Sequence, residues 1–120
     1  MKKRRMINML RWFNIEKTRH TTKNYTIWKD TNPDNKEEYE MYSYTTLVIK
    51  GTLDSLEITG LYSMTTRRHI RWFVDEHADT RAHIPFELVK MVVANKNYRL
   101  DLIHACVWDI TTGEIIAEGY

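Results

Sequence analysis

Cysteine, proline and glycine are all scarce in this 120-residue chain, at one, two and four residues. A single cysteine excludes an intramolecular disulfide framework and points to a reducing compartment. The glycines, Gly51, Gly60, Gly113 and Gly119, form neither a Gly-x-Gly-x-x-Gly fingerprint nor a Walker-type loop, so nucleotide binding by those routes is not expected. No Gly-x-Ser-x-Gly elbow is present. No apolar run approaches the roughly 18 residues of a membrane span. The basic start Lys2-Lys3-Arg4-Arg5 leads into no signal-peptide core, so a soluble cytoplasmic protein with no membrane partner is expected. What the chain does hold is 42% apolar, 12% aromatic and 28% charged residues of both signs, which argues against disorder. The length suits one domain, or one domain with an attached arm.

The formal net charge of +2 conceals an asymmetry. Residues 1–23 carry eight basic groups against Glu16 alone, a charge of +7, and residues 24–120 carry −5. The division expected is therefore a basic N-terminal helix or arm over 1–23 and a single α+β domain over 24–120. Met6, Met9, Leu10 and Phe13 fall on one helical face, which predicts a helix over 3–17. Residues 18–23 read as a polar connector.

Alternation of apolar and polar residues predicts a strand over 24–29, and Asp30-Thr31-Asn32-Pro33-Asp34-Asn35 is a cluster of turn formers. A strand from Tyr39 to Ile49 follows, then a turn over 51–55 and a strand continuing to Tyr62. Residues 98–110 read as one long strand, closed by a hairpin at Thr111-Thr112-Gly113. Two helices lie between: one over 66–77, preceded by capable N-caps, and one after Pro85 ending near Ala94. The Val-rich end of the second is also compatible with a strand. The architecture expected is an antiparallel sheet of about four to five strands with helices packed on one face.

On the first of these helices, Ile70, Phe73, Val74 and His77 share the core-facing arc. Arg67, Arg68 and Arg71 share the opposite side, with Trp72 at its edge. Arginines for phosphates and an indole for stacking suit a contact surface. Packing of Trp72 on a neighbour, and an Arg71–Asp75 pair at i, i+4, are the structural alternatives. His69 reads as a structural residue fastening the preceding strand.

The segment Tyr62-Ser63-Met64-Thr65-Thr66-Arg67-Arg68-His69 resembles a Tyr-Ser-x-Thr-Thr-x-x-His segment of small uncharacterised bacteriophage proteins. The resemblance covers eight residues, there a strand leading into a helix. It implies a phage or mobile-element accessory protein in the host cytoplasm and assigns no catalytic role.

Residues that carry chemistry are sparse. His77 and His83, with Asp75 and Glu76 nearby, form no compact zinc-ligand pattern, so no metal and no cofactor are expected. His104 and Cys106 are two apart on the predicted strand, a spacing that seldom brings ring and sulfur together, and Cys106 reads as a small buried hydrophobe. No enzyme is expected. The function expected is a non-enzymatic binding protein engaging nucleic acid or a host or defence nucleoprotein. Lys2, Lys3, Arg4, Arg5 and Arg11 of the arm would supply contacts, as would Arg67, Arg68, Arg71 and Trp72 of the helix and Tyr42 and Tyr44 of the sheet. The alternatives are a protein-binding inhibitor of a host enzyme or defence complex, of the anti-CRISPR kind, and a homodimeric interaction module.

Overall fold

Period-two alternation builds most of the molecule, and its apolar set lines one side of a single sheet. The computed structural model describes residues 15–19, 24–79 and 81–119. The strands are β1 (Ile15–Arg19), β2 (Asn24–Thr31), β3 (Glu37–Ser43), β4 (Thr46–Thr52), β5 (Ser55–Ile58), β6 (Tyr98–Asp101), β7 (Cys106–Asp109) and β8 (Ile115–Glu118). The helices α1 (Met64–His77) and α2 (Phe86–Ala94) lie between β5 and β6. All neighbouring strands pair antiparallel, in sequence order from β1 to β8.

The register explains the core. One cross-strand row runs Ile27–Met41–Ile49–Ile58, and a second runs Tyr39–Gly51–Leu56–Leu100–Val107–Ala117. Their large side chains are buried, and Ile70, Phe73 and Val74 of α1 and Leu88, Val89 and Val92 of α2 join the same cluster. The helices thus cover one face of the sheet, as the amphipathic pattern demands. Gly51 holds its place for a steric reason: its φ of 126° favours glycine, and a side chain there would collide with the Ser55 carbonyl.

The α+β class and the antiparallel sheet are as expected, but eight described strands replace the four to five predicted. Two turns account for much of the difference, and neither contains glycine or proline. Between β3 and β4 the chain reverses at Tyr44-Thr45, with Tyr44 in the left-handed region at φ 58°. Between β6 and β7 it reverses at Leu102–Ala105, with Ala105 at φ 53°. There the Asp101 carboxylate accepts the backbone N–H of Ile103 at 2.9 Å and of His104 at 2.8 Å, supplying locally what a turn residue would. The long strands predicted over 39–49 and 98–110 are each a hairpin.

A further correction falls at the N-terminus. Residues 15–17 of the predicted helix, and 18–19 of the predicted connector, lie in β1, paired with β2 from Ile15↔Trp28 to Arg19↔Asn24. Pairing against an existing strand overrides the local helical pattern there. Residues 3–14 of that helix lie outside the described residues. α2 resolves the ambiguity after Pro85 in favour of a helix. Pro85 is its N-cap, and the Pro85 carbonyl accepts the Leu88 N–H at 3.0 Å.

No helix among the described residues is long and apolar enough to cross a membrane.

Candidate functional site

The Tyr62–His69 segment is built around helix initiation. Ser63 is the N-cap of α1, with extended backbone at φ −141°, and its Oγ accepts the Thr66 N–H at 3.2 Å. The Ser63 hydroxyl also donates to Thr66 Oγ1 at 3.1 Å. Thr66 Oγ1 in turn lies 3.2 Å from Ser43 Oγ on β3, and Ser43 Oγ lies 2.8 Å from His69 Nδ1. Ser43, Thr66 and His69 are 2%, 5% and 0% exposed. A serine and a histidine at this distance resemble a nucleophile with its base. Full burial closes the pair to any substrate, so its chemistry is that of a latch between helix and sheet. His69 does fasten a strand, but through the Ser43 side chain of β3 and not through the backbone of the strand that precedes it.

Aromatic rings complete the latch. His69 sits 5.1 Å from the Tyr25 ring and 6.2 Å from the Tyr44 ring, and Tyr25 lies 4.6 Å from Trp72. Trp72 is therefore half-buried against β2, the structural alternative for this residue, and is not a free indole on the basic side. His77 packs inward as expected, stacked 4.0 Å from Phe73, with Nδ1 2.9 Å from the Phe73 carbonyl.

The outward side of α1 gathers the basic groups toward its N-terminal half. The Arg67 guanidinium lies 5.1 Å above the ring of Phe86 at the start of α2, and the Lys90 ammonium lies 6.0 Å from the same ring. Phe86 and Lys90 are spaced i, i+4, so one face of α2 presents both. Arg68, the next residue of α1, is exposed. Arg71 is not available in the same way: its Nε donates to both Asp75 carboxylate oxygens at 3.0 and 3.1 Å, and its Nη1 donates to the Ile84 carbonyl at 2.8 Å. Of the three arginines expected to act together, two face outward and one braces the α1–α2 connection.

The remaining expected contacts are dispersed. Lys2, Lys3, Arg4, Arg5 and Arg11 lie outside the described residues. Tyr42 is half-buried on the sheet face away from the helices, whereas Tyr44 leaves the strand and stands 52% exposed in the β3–β4 turn. The two tyrosines do not form one surface. Phe86 and Lys90 were absent from the expected set; the i, i+4 spacing was legible, but their approach to Arg67 depends on how α2 lies beside α1.

The other reactive residues separate. His104 is in the β6–β7 turn, its Nδ1 2.8 Å from Asp101 Oδ2, while Cys106 opens β7 and is buried. The two do not share one strand, which corrects the expected geometry. Burial pushes the Cys106 thiol up from its ordinary pKa, and the negative charges of Asp101 and Glu118 add to the effect. A thiol held neutral in this way is a poor nucleophile. Among the described residues, no three His, Cys, Asp or Glu side chains converge as a metal site would require.

No curated protein and no solved structure matches the chain. One family model matches residues 13–86, a span running from just before β1 through α1 to the first residue of α2 and containing the whole Ser43–Thr66–His69 latch. The chain belongs to DUF8033, a family of unknown function.

Proposed function

We propose that this protein is a non-enzymatic binding module of bacteriophage type that engages nucleic acid or a nucleoprotein. The observation that carries the reading is the meeting of Arg67 and Lys90, from two different helices, over the ring of Phe86; Arg68, next in sequence, is exposed. Cations held at fixed positions on packed helices suit phosphate contacts, and the basic segment over 1–23 adds charge that needs no fixed geometry. The acidic Asp75 and Glu76 sit toward the other end of α1, so the favourable surface is its N-terminal half. Binding of this kind is mainly electrostatic and modest in sequence preference.

Fluorescence anisotropy with labelled duplex DNA, single-stranded DNA and RNA across a salt series tests the proposal. Full-length protein is compared with a variant in which Lys2, Lys3, Arg4 and Arg5 are changed to Gln. Affinity that falls steeply with salt, and falls further in the variant, supports the reading and ranks the polymers. An absence of binding at low salt rejects it.

A further inference from the structure

Two tyrosines at one end of the sheet are held in conformations that their residue type resists. Tyr44, in the β3–β4 turn, has φ 58°, and Tyr62, just before α1, has φ 32°. Glycine or asparagine meets such angles at lower cost than a bulky aromatic. Both positions nevertheless carry a ring, and the rings are 52% and 64% exposed. Strain kept at an exposed position points to use of the side chain itself. Neither ring is loose. Tyr44 stands beside the latch, 6.2 Å from the His69 ring. The Tyr62 ring lies against Gly60, where a side chain would come within 2.7 Å of it, and its hydroxyl donates to Thr59 Oγ1 at 3.2 Å. Thr59 is tied in turn to the start of β4, its Oγ1 donating to the Leu47 carbonyl at 2.6 Å and its N–H to the Val48 carbonyl at 3.0 Å. Because β4 begins directly after the Tyr44-Thr45 turn, both rings stand at the end of the sheet where α1 begins.

We infer that the polymer engaged is single-stranded, with unpaired bases stacked on Tyr44 and Tyr62 and phosphates held by Arg67, Arg68 and Lys90. The inference rests on the nucleic-acid reading above and names its substrate class. An unpaired base offers an open face to a tyrosine ring, whereas in a duplex neighbouring bases cover both faces of each base. The cations and the rings share one track. From Arg67, over Phe86, the outward arc of α1 passes through Met64 and Arg68 to the His69 flank, beside which Tyr44 stands. Met64 is 64% exposed and directly follows the Tyr62-Ser63 pair, adding soft apolar surface next to the ring. Charge complementarity selects the occupant. Among the described residues no carboxylate pairs with Arg67, Arg68 or Lys90, whereas Asp75 takes Arg71. Their charge is therefore available to phosphate.

The test is fluorescence anisotropy of the full-length protein with labelled oligo-dT, oligo-U and a DNA duplex of the same length, across a salt series. One or both single strands are expected to bind about tenfold more tightly than the duplex. Tyr44→Asn and Tyr62→Asn put at these angles a residue that tolerates them, so folding is not at stake. Each is expected to weaken single-strand binding about fivefold to tenfold and to leave duplex binding within about twofold. Because stacking releases no counterions, the slope of log affinity against log salt stays unchanged in these variants, whereas Arg68→Ala lowers it by about one. Tyr44→Phe and Tyr62→Phe keep the ring and are expected to keep the affinity. The inference is overturned, with the nucleic-acid reading intact, if the duplex binds as tightly as both single strands or if the Asn variants bind single strands like the parent. Phe variants as weak as the Asn variants overturn it too, since the ring face would not be what binds. No binding of any polymer at low salt overturns both readings.

Discussion

On the helix-bearing side of the sheet, Ile27, Met41, Ile49 and Leu56 are shut away beneath Ile70 and Phe73. The polar groups there, Ser43, Thr66 and His69, are buried and bonded to one another. On the opposite side, a row through Trp28, Glu40, Lys50 and Glu57 mixes charges of both signs with an aromatic ring. The ion pairs of Glu57 are loose, at 3.8 Å from both Lys50 and Arg99. The difference teaches where the chain has spent specificity. The buried polar latch fixes the helix on the sheet at one register, because leaving any of its members unpaired is costly. This half-buried row tolerates exchange at Lys50 and Glu57, both 41% exposed, because solvent screens that pair. A basic surface on the outside of α1 therefore stands on a rigid base.

That contrast breaks most visibly at His69. His69→Leu removes the nearer of the two partners of the buried Ser43 hydroxyl, leaving Thr66, and is expected to cost about 2–4 kcal/mol of stability, read from urea unfolding. Ser43→Ala alone is expected to cost less, and a double-mutant cycle is expected to show coupling of about 0.5–3 kcal/mol. A neutral His69→Leu would mean that the latch serves something other than folding. Asp75→Asn comes next in size. Releasing Arg71 from its carboxylate adds a free cation to the α1 surface and is expected to raise nucleic-acid affinity a few fold, read by anisotropy. Its stability cost should stay below about 1 kcal/mol, as for other surface pairs at i, i+4. Lys50→Gln on the opposite face is expected to change stability by no more than about 0.5 kcal/mol and to leave nucleic-acid binding within about twofold. A larger loss would place phosphate contacts on the sheet face and dissolve the distinction.

The smallest effect concerns pH. Hydrogen bonds from Thr52 and Lys36 hold the Asp54 carboxyl below its ordinary pKa in the folded protein. Its stabilising contribution is thus complete above the unfolded value near pH 4, and is lost as pH falls through the lower folded value. Asp54→Asn is expected to flatten the acid limb of a stability-against-pH curve slightly, with no change near neutrality beyond the loss of that contribution.

Much of the helix layer was legible in the sequence because its signals are local. Ser63 caps α1, the 3.6-residue period sorts Ile70, Phe73 and Val74 inward, and Asn95 follows the last turn of α2. Strand number was not legible, because Tyr44 and Ala105 adopt turn conformations that their residue types do not advertise. The latch joins Ser43 to His69 across 26 positions of sequence, and only the strand register brings them together. The same holds for Arg67 over Phe86: two amphipathic patterns disclose two helices, but not which flank of one meets the start of the other.

The central claim is that the outward surface shared by α1 and α2 holds phosphate. The most direct measurement is the salt dependence of nucleic-acid affinity for the full-length protein beside an Arg67→Ala, Arg68→Ala, Lys90→Ala variant of unchanged fold. Each lost phosphate contact is expected to lower the slope of log affinity against log salt by about one, so the variant should bind more weakly at low salt with a slope reduced by about two to three. An unchanged slope and affinity would contradict the account and leave the three cations as an ordinary solvated surface.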